Sequence, residues 1–157
     1  MAVGIDSQLV ELAGRNWLAA QLQRAGIEVA RPERDRGIDL IAYIDRDERV
    51  PKFIARPIQI KAASKKVFSV NTKYRIFPGL LLVYVWNVND PSKTTCCALT
   101  YNEAVDVARR MGWTKTASWK TYKNYSMTRP SARLCALLKA YEMNPENWWQ
   151  KIARSRN

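Results

Sequence analysis

Residues 80–88, "LLLVYVWNV", are apolar at almost every position. A strand with one wet face alternates. A strand apolar on both faces belongs inside a sheet that is covered on both sides. This run therefore commits the chain to a single sheet with helices packed on it, α/β or α+β. It is strand length, far short of the roughly 20 apolar residues a membrane helix needs, so no membrane association is expected.

The flanking segments supply the layers. Residues 7–25, "SQLVELAGRNWLAAQLQRA", read as an amphipathic helix, with Leu9, Leu12, Leu18 and Leu22 near helical spacing, Ser7 as N-cap and Gly26 as the stop. "IEVARP" is a short strand ended by Pro32, and "ERDRG" is a loop. "IDLIAYI" and "FIARPIQIKA" form an antiparallel hairpin across the charged turn "DRDERVPK". "KKVFSVNTKYRIFPG" carries no readable period; "TTCCALT" is a further strand. Helices are expected at "YNEAVDVARRMGW", at "PSARLCALLKAYEM" with Pro130 at N1, and at "NPENWWQKIARSRN" with Asn144 as N-cap and Pro145 at N1.

The chain has 157 residues, no histidine and three cysteines, Cys96, Cys97 and Cys135. The length suits one domain with one real core. Without histidine there is no Ser-His-Asp or Cys-His hydrolysis. Two adjacent cysteines and an odd third make neither a disulfide framework nor a zinc site. No phosphate-binding glycine loop is present. The N-terminus lacks the pattern of a signal peptide, so a cytoplasmic location is expected. The net charge is +12, which favours a polyanionic partner, nucleic acid before a membrane surface.

Within that frame "RPIQIKAAS", residues 56–64, raises a question. Ile58 and Ile60 alternate with Gln59 and Lys61, so an amide and an ammonium share one strand face. Asp39, set between Ile38 and Leu40, can approach them if the two strands pair. A solvated edge strand explains Gln59 and Lys61, and a partner such as Arg34 or Arg36 explains Asp39. The other explanation is chemical. A carboxylate with neutral oxygens can hold Mg²⁺ or Mn²⁺, a bound cation activates water against a phosphodiester, and an adjacent lysine orients or deprotonates that water and stabilises developing charge.

"RGIDLIAYI … RPIQIKAAS" resembles the D…(D/E/Q)xK signature of the PD-(D/E)XK nuclease superfamily, in the variant with glutamine for the second acid. That superfamily includes restriction enzymes, archaeal Holliday-junction resolvases and many small bacterial proteins. The resemblance covers about the first 90 residues. It implies a restriction-endonuclease-like α/β fold: a central mixed β-sheet flanked by helices, here with extra C-terminal helices. On this reading residues 1–157 form a single domain, with a nuclease-like core at about 7–100 and a helical, basic extension at about 101–157. The resemblance implies Asp39, Gln59 and the backbone carbonyl of Ile60 as ligands of Mg²⁺ or Mn²⁺, and Lys61 as the catalytic lysine. Its usual first-helix frame, "GExxAAxxLxxxG", reads "GRNWLAAQLQRAG" here, so Arg15 stands at the glutamate position. Glu11, one turn earlier on the same helix face, either completes the catalytic set or pairs with Arg15. Homodimers are common in the superfamily, which makes a homodimer an expectation.

Cations follow the signature at Lys65, Lys66, Lys73 and Arg75, and Ser64 can meet a phosphate. Farther on, Trp113, Trp119, Tyr122 and Tyr125 interleave with Lys115, Lys120, Lys123, Arg129 and Arg133. That mixture suits nucleic acid by stacking and charge, or a loop whose aromatics pack inward. Of the adjacent Trp148 and Trp149, one faces the core and the other is a candidate partner contact. The expected function is a metal-dependent nuclease acting on DNA. A nuclease-fold protein that only binds nucleic acid, or a protein-interaction module, is the alternative.

Overall fold

The computed structural model describes residues 6–45 and 52–154. Most of the charged turn and the end of the basic tail lie outside them. The chain builds α1 (Ser7–Arg24), β1 (Glu28–Ala30), β2 (Leu40–Ile44), β3 (Ile54–Ala63) and β4 (Phe68–Asn71). A 3-10 helix, Thr72–Ile76, leads to β5 (Leu81–Trp86) and β6 (Thr95–Thr100). Then come α2 (Tyr101–Arg110), a 3-10 turn (Trp113–Lys115), α3 (Ala117–Tyr122), β7 (Asn124–Met127), α4 (Ala132–Leu138), a 3-10 turn (Lys139–Tyr141) and α5 (Trp148–Arg154).

The five-stranded sheet has the order β1-β2-β3-β5-β6. It is mixed: β3 and β5 run parallel, and the other pairs are antiparallel. The fold is α/β, a mixed central sheet flanked by helices. β5 has a neighbour on each side and is buried at every position. Leu81, Val83 and Val85 enter a core shared with Leu18, Leu22, Trp148 and Ile152 of α1 and α5. Leu82, Tyr84 and Trp86 enter a second core with Ala104, Val107, Leu134 and Leu138 of α2 and α4. No helix among the described residues is long and apolar enough to cross a membrane.

α1 differs from expectation in its cap and in its buried face. Asp6, not Ser7, is the N-cap, and its carboxylate accepts from the Leu9 N–H at 2.9 Å. The C-terminus closes as expected. Gly26 has φ +76°, Ile27 N–H donates to Leu22 C=O, and Gly26 N–H donates to Gln23 C=O. The buried positions are Gly14, Leu18, Ala19 and Leu22, whereas Leu9 and Leu12 are 52% and 43% exposed. At about 100° per residue, nine residues make two and a half turns, so Leu9 falls opposite Leu18.

The C-terminal third is not only helical. β7 pairs antiparallel with β4 as a separate ribbon, Phe68 opposite Met127 and Asn71 opposite Asn124. The aromatics of β5 hold the ribbon to the sheet: Tyr84 Oη donates to Ser69 C=O at 2.6 Å and Trp86 Nε1 to Val67 C=O at 2.7 Å. Trp113 is buried and stacks on Tyr125 at 4.5 Å, and Trp119 packs against the same core. Two caps also move. Ser131 caps α4, which leaves Pro130 before the cap rather than at N1. Asn144 accepts from the Glu146 and Asn147 N–H groups, but regular helix starts only at Trp148. Trp148 is buried as one of the pair should be. Trp149 is half-buried and donates its indole N–H to Ala25 C=O at the end of α1.

Cys96 and Cys97 are buried in β6 and Cys135 is half-buried, all three as free thiols. Burial pushes both β6 thiols up, Cys97 to about 12. At pH 8 only about one Cys97 in ten thousand is then thiolate, the reactive form. A thiol reagent is expected to label Cys135 first and the β6 pair only on unfolding. Peptide mapping after timed labelling checks this, and early modification of Cys96 or Cys97 would show that β6 opens in the native state.

Candidate functional site

β2 begins at Leu40, opposite Ile58, whereas β3 runs on to Ala63 beside β5. Past Ile58 the β2 side of β3 has no strand, and its backbone groups need other partners. Asp39 supplies them. Its own N–H donates to Ile58 C=O at 2.8 Å, continuing the ladder by one step. Its Oδ2 then accepts from the Ile60 N–H at 2.6 Å and from Gln59 Nε2 at 2.8 Å. Gln59 Nε2 also donates to Ile60 C=O at 3.3 Å. One amide nitrogen thus bridges a carboxylate and a carbonyl, both acceptors, at the point where the sheet opens.

The preceding loop brings a second carboxylate. Asp35 Oδ1 accepts from the Gly37 N–H at 3.1 Å, an Asx turn, and Gly37 takes φ +89°. A Cβ on Gly37 would meet Phe77 Cζ at 3.6 Å and Gln59 Oε1 at 3.8 Å, so Phe77 walls the loop and the amide oxygen points that way. Glu11, Arg15, Asp35, Asp39, Gln59, Ile60 and Ala62 line a cleft of about 120 Å³. Among the described residues no ion pair joins Glu11 to Arg15. The D-x-G spacing of Asp35 and Gly37 is the available sequence signal for Asp35, which composition and periodicity pass over.

Lys61 shares a strand face with Gln59 but does not line this cleft. Its ammonium donates to Tyr74 Oη at 2.6 Å. Tyr74 is buried on the 3-10 helix, and the Lys73 ammonium lies 5.0 Å from its ring centroid. Tyr74 comes from the segment without readable period, and nothing local marks it as the partner of a strand lysine.

The cations divide. Ser64, Lys65 and Lys66 are exposed after β3, and Lys66 lies over Trp86 at 5.7 Å, beside a separate cavity of about 340 Å³ with Cys97, Cys135 and Leu138. Lys115, Lys120 and Lys123 are exposed; of these, Lys123 is tied to the 3-10 helix, its carbonyl accepting from the Thr72 N–H at 2.9 Å.

The donors at the sheet opening are hard oxygens, one carboxylate, one carbonyl and one amide, and they fit a divalent ion that keeps most of its waters. The Gln59 nitrogen now occupies the electronegative place between Asp39 and Ile60, where a cation would be drawn, and a half-turn of the amide exchanges it for the oxygen. Among the described residues no three His, Cys, Asp or Glu side chains gather as a metal-binding group, so Asp39 is the one carboxylate in this donor set. Compared with protein-family models, curated proteins and solved structures, the chain finds no significant match.

Proposed function

We propose that this chain is a metal-dependent nuclease of the PD-(D/E)XK kind that hydrolyses phosphodiester bonds in DNA. The observation that carries the reading is the meeting of Asp39, Gln59 and Ile60 at the sheet opening, with Lys61 next along the same strand. Asp39, the Gln59 amide oxygen and the Ile60 carbonyl would hold Mg²⁺ or Mn²⁺. When bound, the ion would polarise the phosphate and make its water acidic. Lys61, oriented by Tyr74, aligns the attacking water and neutralises charge developing on the phosphate. The net charge of +12 draws the polyanion to the surface.

A second reading has its own observation. Arg15 stands in the cleft and Gln59 is neutral, which suits a scaffold that binds nucleic acid without cutting it. The two part on one assay. Plasmid, linear and branched DNA, and RNA, are incubated with the protein in Mg²⁺, Mn²⁺ or EDTA, beside Asp39→Asn. Cutting that requires metal and disappears in Asp39→Asn is the expected result. No cutting in any lane, with a gel shift that weakens steeply with salt, would leave the binding protein.

A further inference from the structure

We infer that the surface beside the cleft grips an unpaired stretch of DNA strand, with Ile76 and Tyr122 as its base-contacting side chains. This rests on the reading of the cleft as a phosphodiester site. Ile76 and Tyr122 are 75% and 70% exposed, the most exposed large apolar side chains among the described residues. They come from distant parts of the chain and the fold brings their segments together. Ile76 ends the 3-10 helix whose first N–H, at Thr72, donates to the carbonyl of Lys123, the residue after Tyr122.

The platform is pinned at three points. Thr72 is tied to Lys123, Tyr74 holds Lys61, and Phe77 leans on Gly37 beside Gln59. Ile76 is therefore presented on fixed backbone, one residue before Phe77, whose ring stands against the Gly37 loop beside Gln59. Its charge is of one sign. The chain has no Asp or Glu between Glu48 and Asp90, and none between Asp106 and Glu142. β4 and β7 pair these two acid-free stretches, and Lys73, Arg75, Lys120 and Lys123 stand exposed in them.

Phosphates answer the cations in any nucleic acid, paired or not. Exposed isoleucine and tyrosine side chains find no partner on a continuous duplex backbone. They find one on bases, which an apolar wedge parts and an aromatic ring stacks on. Three of the four aromatics in the basic segment are packed away, Trp113, Trp119 and Tyr125, which leaves Tyr122 as its exposed ring.

Fluorescence anisotropy with labelled oligonucleotides tests this, in EDTA so that nothing is cut and at one fixed salt concentration. A single strand, a blunt duplex of the same sequence and a duplex with an unpaired flap are compared. The single strand and the flap are expected to bind about fivefold or more tighter than the duplex. Ile76→Ser and Tyr122→Ala should each remove most of that preference and leave duplex affinity within about twofold, as expected for loss of base stacking. Both side chains are exposed, and circular dichroism checks that the variants fold. Equal affinity for strand and duplex, or a preference untouched by both variants, overturns the inference. Cleavage is scored apart: cutting without strand preference sinks this inference alone, and strand preference without cutting sinks the nuclease reading alone.

Discussion

DNA cleavage by Lys61→Met protein is expected to fall at least about 100-fold, the scale of a positioned acid–base or charge-stabilising group. Methionine keeps the unbranched stem, and the protein should still fold. The substitution removes one hydrogen bond, from the charged ammonium to Tyr74 Oη, worth about 1.5 kcal/mol, the lower end for a charged donor at a half-buried position. Tyr74→Phe divides the effect. It leaves the ammonium in place and removes only the group that aims it. Turnover should drop about tenfold with little change in KM, since orientation acts on the reacting geometry rather than on the hold on DNA. Steady-state rates on one supercoiled substrate, with and without metal, give both numbers. Unaltered turnover in Lys61→Met would remove Lys61 from the chemistry and leave Asp39, Gln59 and Ile60 to carry the candidate site without it.

Tyr74 also marks where sequence reading stops. β5 is legible because every one of its residues is apolar, and only a doubly covered strand needs that. The β2–β3 hairpin is legible because alternation and a charged turn are local signals. From it follows the approach of Asp39 to Gln59, which the structure realises one residue before the start of β2. The β4–β7 ribbon has no such signal. Its strands are four residues each and pair across a long stretch of chain, with neither length nor alternation enough to announce them. Tyr74, whose helix follows β4, is hidden with the ribbon. Trp113 and Tyr125 stay undecided for a related reason: aromatics among lysines suit a stacking surface or an inward-packed loop alike, and only the tertiary contacts show that these two stack on each other against the core. α1 is legible as a helix but not in its orientation, because leucines nine apart share a helix but not a face.

Gly14 sets the distance between α1 and the site strand, and a side chain there should cost the most stability of any change discussed. A Cβ at Gly14 would lie 2.5 Å from the Cβ of Ala62, closer than real carbons approach. Neither atom ends a flexible side chain, so the helix or the strand must move. Gly14→Val is expected to destabilise by about 2–3 kcal/mol, as overpacking does, which is a fall of about 5–10 °C in Tm for a chain of this size. The gain in helix propensity is smaller and does not offset it. Gly14→Ala isolates the first atom of the clash, and Ala62→Gly removes the atom it meets. The double variant should recover most of the loss, less the cost of about 0.5–1 kcal/mol for glycine in a strand. Residues in contact couple in this way and distant ones do not. Thermal unfolding of the four proteins closes the cycle, and additive losses would mean that α1 is held off β3 by something other than this contact. Ala62 follows Lys61 and lines the cleft with Arg15, the helix residue after Gly14. The same displacement should therefore reach the candidate site, and any cleavage by Gly14→Val should weaken even at temperatures where the protein remains folded.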